Sequence, residues 1–71
     1  MERIVVESSL LHSVGYDPRT AILELQFQDG NIYRYYDVEP ETYQELLEAP
    51  SKGHYFNEYI RDAYLFDRQY R

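Results

Sequence analysis

The chain predicts an α+β fold: a three-stranded antiparallel β-meander packed by two short helices, with the C-terminal tail either adding a short fourth strand or packing as coil. Three observations predict it. Residues 10–37 alternate in polarity around two turn segments, residues 40–61 carry apolar residues at helical spacing, and Pro50-Ser51 divides that helical stretch in two. The length of 71 residues leaves room for one domain, residues 1–71.

The first strand runs from Leu10 to Tyr16, with Leu10, His12, Val14 and Tyr16 alternating against Leu11, Ser13 and Gly15. Leu11 stands on the polar parity, which signals a bulge or a late entry into the sheet. Asp17-Pro18-Arg19-Thr20 has the chemistry of a type I turn, Asp at the first position and Pro at the second. The second strand then spans Ala21 to Phe27, with Leu23, Leu25 and Phe27 on one face and Ile22, Glu24 and Gln26 on the other. Gln28-Asp29-Gly30 leads into a third strand, Asn31 to Asp37. A three-residue loop with Gly30 left-handed sets Leu25 opposite Tyr33 and Leu23 opposite Tyr35; a two-residue loop would set Leu25 opposite Arg34 instead. The first choice gathers five large side chains on one face and leaves Glu24, Gln26, Arg34 and Tyr36 on the other.

Pro40 suits the first position of a helix running to about Glu48, and Val38 and Tyr43 fall where a hydrophobic staple closes. Tyr43, Leu46 and Leu47 make its apolar stripe, and Glu41, Glu45 and Glu48 its polar side. Ser51 caps a second helix through roughly Arg61. At α-helical spacing Phe56, Tyr59, Ile60 and Ala63 form its buried stripe, while His54, Asn57 and Arg61 share another face. The tail Tyr64-Leu65-Phe66 is the segment with the two readings given above.

A chain of 8.6 kDa buries only about 60% of its unfolded surface. Nine Tyr and three Phe must therefore supply much of the core, and each buried hydroxyl needs a partner or a path to water. The absence of cysteine excludes disulfides, thiolate metal sites and a cysteine nucleophile, and points to the cytoplasm. Ile4-Val5-Val6 is too short and too closely flanked by acids for a signal peptide or a membrane span. The net charge of −6 argues against a generally basic nucleic-acid binder. Charge is uneven, however: residues 1–50 hold three arginines against ten acids, whereas residues 51–71 hold Lys52, Arg61, Arg68 and Arg71 against Glu58, Asp62 and Asp67.

The order of residues resembles a known family. Ser8-Ser9 precedes a strand ending Gly15-Tyr16-Asp17; Leu23-x-Leu25-x-Phe27, Gly30 and Tyr33-Arg34-Tyr35 follow; then come Val38, Tyr43, Leu46-Leu47 and Ala49-Pro50-Ser51-Lys52-Gly53-x-Tyr55-Phe56-Asn57 with Ile60-Arg61. This is similar to the KTSC domain, a small module named for its place at the C-terminus of some lysyl-tRNA synthetases and also found alone in small bacterial proteins. The resemblance covers residues 8–64. Its motif positions fall here on Tyr33, Tyr35, Ser51, Lys52, Gly53, Asn57 and Arg61. The family has no established activity, and the synthetase context implies RNA binding, with single-stranded RNA or tRNA as partner.

The residues themselves point to a surface rather than to chemistry. The start of the second helix, with free backbone N–H groups, Lys52 and an unobstructed Gly53, is suited to an anionic group. Ser51, Lys52, Gly53, His54, Asn57 and Arg61 are the candidate binding residues there. An alternative reading has Ser51 capping, Gly53 allowing close packing and Arg61 pairing with Glu58 or Asp62. Arg34 and Tyr36 form a second candidate patch on the outer sheet face, since Arg and Tyr are favoured in binding hot spots. Tyr33 and Tyr35 read as core in the chosen register and as stacking platforms if it slips by one. No catalytic residue, metal site or cofactor is expected: His12 and His54 lack paired ligands, and no phosphate loop or nucleophile elbow occurs. The sequence thus predicts a noncatalytic binding module, with RNA or an acidic protein segment as partner. The competing class is a protein-interaction or self-association domain that uses exposed aromatics.

Overall fold

The computed structural model describes residues 1–70; Arg71, one of the cations counted in the tail, lies outside the described residues. The fold is α+β, and its sheet has five antiparallel strands in sequence order, β1 (Ile4–Val5), β2 (Leu11–Asp17), β3 (Ile22–Phe27), β4 (Ile32–Tyr35) and β5 (Phe66–Gln69). The three-stranded meander is its centre; of the two readings of the tail the added strand is the one found, and an N-terminal edge strand lies beyond the expected count. Two residues of the Ile4-Val5-Val6 run pair with Ser13 and Val14, and the tail pairs along β4. Its strand begins at Phe66, after Tyr64 and Leu65.

Leu11 does announce a bulge. The register shifts between Leu11 and Ser13, opposite Phe27 and Gln26, which leaves His12 as the extra residue. Leu11 and Val14 are consequently both fully buried, whereas His12 is exposed. The even-numbered face expected for the whole strand therefore holds only from Val14 onward.

The β3–β4 hairpin has the three-residue loop. Gly30 adopts φ 91°, its N–H donates to Phe27, and Phe27 N–H donates to Asn31 at 2.8 Å. Leu23 then lies opposite Tyr35 and Leu25 opposite Tyr33. At the β2–β3 turn Ala21 is left-handed, φ 59°, and stays outside the strand. The third strand ends at Tyr35, since Asp37 turns to φ 58°.

Two helical segments cover one face of the sheet. The first, α1 (Pro40–Glu48), opens on Pro40 with Glu39 as the flanking residue. Tyr43 stacks on Tyr16 at 5.2 Å between ring centroids, and the Tyr16 hydroxyl donates to the Val38 carbonyl. The second, α2 (Lys52–Tyr55), is capped by Ser51 Oγ accepting from His54 N–H, and it widens into a π-turn over Phe56–Ile60. That turn corrects the expected stripe. Phe56 and Ile60 are buried, but Tyr59 is rotated outward to 59% exposure and Ala63 is exposed. The core lies between these helices and the inner sheet face, around Leu11, Val14, Leu23, Leu25, Tyr35, Val38, Leu46, Phe56 and Ile60.

Among the described residues no helix lies on the opposite face of the sheet. Glu24, buried at 5% exposure, accepts from Arg34 Nε at 2.8 Å and from the Arg3 guanidinium. Arg3 also donates to Ser13 Oγ, and its stem lies across Gly15, where a Cβ would strike the Glu2 carbonyl oxygen. Gly15 is thus needed for the N-terminal segment to lie close to the sheet.

Candidate functional site

The helices do not reach the β4–β5 end of the inner face. Between that end and the exit of the π-turn lies an open groove of about 360 Å³, lined by Phe27, Tyr33, Tyr35, Phe56 and Phe66 with Asp29, Asn31, Arg61 and Asp62. This volume lies near the lower bound of small-ligand sites, roughly 300–1,000 Å³.

Five aromatic side chains close a ring around it. Phe27 meets Tyr33 at 5.5 Å, Tyr33 meets Phe66 at 5.8 Å, Phe66 meets Tyr35 at 5.3 Å, Tyr35 meets Phe56 at 5.7 Å, and Phe56 returns to Phe27 at 5.3 Å. Each spacing is that of a tilted or edge-to-face aromatic contact. Strand parity accounts for the sheet members: Phe27 ends β3 on the inner face, Tyr33 and Tyr35 take the two inner positions of β4, and Phe66 pairs with Tyr35. Tyr35 is the floor, 3% exposed, whereas Phe66 is 52% exposed and Tyr33 half-buried. Burial, aided by the nearby Tyr33, pushes the Tyr35 hydroxyl up from 10.0 to about 12, so the floor stays uncharged at pH values where an ordinary tyrosine ionises. Tyr33 is therefore neither wholly core nor an open platform, because it packs on its neighbours and still faces solvent through the groove.

Polar groups stand at the rim. The π-turn hydrogen bond, Arg61 N–H to Phe56 carbonyl at 2.9 Å, brings Arg61 to the side of Phe56. In an α-helix residues five apart point about 140° away from each other. Arg61 Nε and Asp62 Oδ1 are 3.8 Å apart, and their side chains are 62% and 86% exposed. That spacing makes an exposed ion pair, the Asp62 partner named in the alternative reading of Arg61, but it is too long for a hydrogen bond. Across the groove Asp29 is held by Asn31, whose backbone and side-chain N–H groups donate to its two oxygens. Asn31 Oδ1 in turn accepts from Arg68, whose guanidinium sits 4.8 Å from the Tyr70 ring centroid.

The candidate residues from sequence are divided by this geometry. Arg61 is at the groove. Lys52 donates to the Ala49 carbonyl at 3.2 Å, and Gly53 packs against Leu10, whose Cβ would stand 3.2 Å from an added Cβ. Ser51 is the cap, and His54 and Asn57 are exposed. The π-turn breaks the spacing that would align these two with Arg61. Arg34 is paired with Glu24, and the Tyr36 hydroxyl donates to Asp67, so the outer patch is tied into the sheet. Phe27, Phe66, Asn31 and Asp62 were not among the expected site residues. Only Asp62, next to Arg61, carried any local signal.

Among the described residues no three His, Asp or Glu side chains are grouped to hold a metal ion, and no helix is long and apolar enough to cross a membrane.

The KTSC domain profile matches residues 7–64. The chain belongs to the KTSC domain family. An uncharacterized protein of Stutzerimonas stutzeri is 49% identical over 61 residues, 86% of each chain. A lysine–tRNA ligase of Nostoc punctiforme is 34% identical over 62 residues, which are 87% of this chain but 11% of the ligase. The crystal structure of a KTSC domain protein from Yersinia pestis superposes with a TM-score of 0.95 at 35% identity, covering 97% of both chains. This KTSC domain is therefore similar both to small proteins of its own length and to a minor part of a much larger enzyme.

Proposed function

We propose that this KTSC domain is a noncatalytic cytoplasmic binding module that captures an unpaired base of single-stranded RNA in the aromatic groove. The observation that carries this reading is the closed ring of five aromatic side chains opening to solvent beside Arg61. Single-strand readers stack bases on such side chains, each stacked base contributing about 1–3 kcal/mol. Among the residues lining the groove Arg61 is the cation and Asp29 and Asp62 are the acids, in a chain whose net charge is −6. Stacking, rather than phosphate neutralisation, then carries most of the affinity. The lysine–tRNA ligase relatives support RNA as the first partner to test.

The test is a chemical-shift titration of the labelled protein with short single-stranded RNA at two salt concentrations. Shifts confined to Asn31, Tyr33, Arg61, Asp62 and Phe66 are expected, with a log–log salt slope no steeper than about −1.4 for one or two phosphate contacts. An acidic peptide titrated in parallel is expected to leave these amides unmoved. A spectrum silent to RNA and responsive to the peptide would assign the site to a protein segment.

A second reading is self-association, favoured by the β5 edge. Leu65, Phe66 and Tyr70 are 81%, 52% and 78% exposed beside an unpaired strand edge, the kind of surface that recruits another chain. Size exclusion against protein concentration separates the two: elution that moves with concentration and persists in high salt supports the edge.

A further inference from the structure

We propose that the groove selects guanine over the other three bases, with Arg61 and Asp62 as the reading pair. The inference rests on the reading that the groove binds single-stranded RNA. Three features of the rim carry it. Arg61 and Asp62 are consecutive residues, and both line the aromatic groove, whose accessible aromatic surface is that of the exposed Phe66 and the half-buried Phe27 and Tyr33. Their side chains stand 3.8 Å apart, beyond hydrogen-bond length, and are largely exposed, so each keeps its donors or acceptors for a ligand. Asp29 accepts two hydrogen bonds from Asn31, one on each oxygen, which orient its carboxylate toward its own loop, whereas the carboxylate of Asp62 is 86% exposed.

The chemistry then discriminates. Guanine presents two acceptors, O6 and N7, which an arginine fork meets bidentately. On its neighbouring edge it presents two adjacent donors, N1–H and the N2 amino group, which match the two oxygens of a carboxylate. Adenine has no adjacent donor pair. Cytosine offers its single amino group beside an acceptor nitrogen, and uracil offers one N–H between two carbonyls that repel a carboxylate. A guanidinium beside a carboxylate thus meets guanine with two bidentate contacts, more than any other base allows, and the groove aromatics supply the stacking that any base accepts.

The experiment compares four short oligouridine strands that differ only at the central base, together with guanosine monophosphate as the free-nucleotide arm. Fluorescence anisotropy gives the affinity, and the groove amides report the site. The guanosine strand should bind roughly tenfold more tightly than the others, and the monophosphate far more weakly than the strand. Asp62→Asn should reduce the preference, since an amide offers one acceptor and one donor where the base has two donors, while the Arg61 fork remains. Arg61→Lys should reduce it, since an ammonium lacks the fork. Equal binding of all four strands with shifts at the groove overturns guanine selection and leaves RNA binding standing. A preference undiminished by Asp62→Asn overturns the assigned pair. Binding of the monophosphate as tight as the strand overturns the strand as ligand, and no groove shift with any strand overturns the RNA reading and this inference together.

Discussion

Arg61 and Phe56 are joined by one backbone hydrogen bond of 2.9 Å across a π-turn, and that bond decides what stands at the groove. With α-helical geometry over this stretch, Arg61 would point about 140° from Phe56. The widened turn keeps the aromatic ring and the guanidinium on one side, in keeping with the frequent use of π-turns at functional sites.

Arg61→Ala should accordingly weaken RNA binding by about 1–3 kcal/mol while changing stability by no more than about 0.5 kcal/mol, because the side chain is 62% exposed. Lys52→Ala provides the contrast. Its ammonium is committed to the Ala49 carbonyl, so it should leave binding unchanged and cost about 0.5–1.5 kcal/mol. Anisotropy titration and urea denaturation of both variants check this; a binding loss confined to the Lys52 variant would return the site to the helix start.

Glu24 anchors the N-terminal strand. Burial raises the pKa of its carboxyl, but hydrogen bonds from Arg34 and Arg3 outweigh that and hold it below the ordinary value of 4.5. A depressed folded pKa means stability that is fully present above 4.5 and lost as pH falls through the folded value. Glu24→Gln should cost about 1–3 kcal/mol at pH 7 and flatten the acid limb of stability against pH. Urea midpoints for both proteins between neutral pH and pH 3 measure it, and identical acid limbs would sink the assignment.

Ala21 is the non-glycine residue that closes the β2–β3 hairpin in a left-handed conformation, φ 59°. Its backbone cannot relax, since its N–H donates to Asp17 and its carbonyl accepts from Val38, at 2.8 and 2.9 Å. Ala21→Gly should raise stability by about 0.5–1 kcal/mol, the left-handed penalty of a Cβ less the entropy of glycine. A melting temperature unchanged or lowered would contradict this.

Tyr35 ionises late. Its hydroxyl, raised to about 12 mainly by burial, is protonated in the fold at a pH where an unfolded tyrosine with the ordinary value of 10.0 is charged. The fold therefore keeps this contribution below pH 10 and loses it between 10 and 12. Tyrosinate absorbance should show a late-titrating component, to which Tyr55, raised by burial and by its hydrogen bond to Glu45, also contributes, and Tyr35→Phe should reduce that component by one hydroxyl.

Local chemistry made the centre of the molecule legible. Alternation of Leu23, Leu25 and Phe27 against Tyr33 and Tyr35, with Gly30 able to take φ 91°, determined the β3–β4 register, because a slip of one residue would turn every apolar side chain to the wrong face. Leu11 on the wrong parity disclosed the bulge, and Pro40 and Ser51 marked where the helical segments begin. These signals reside in a few neighbouring residues. The edges do not: β1 is two residues long, and β5, with Asp67 and Arg68 in it, becomes a strand because β4 offers an open row of hydrogen-bonding groups. The π-turn likewise follows no local pattern, since the same residues satisfy α-helical spacing. The groove depends on both, with Phe66 brought by β5 to Tyr33 and Tyr35 and Arg61 brought by the π-turn to Phe56. The sequence by itself determined which residues face inward; only the tertiary structure decided where the helices stop short and leave inward-facing aromatics open to a ligand, because that depends on contacts between residues far apart in the chain.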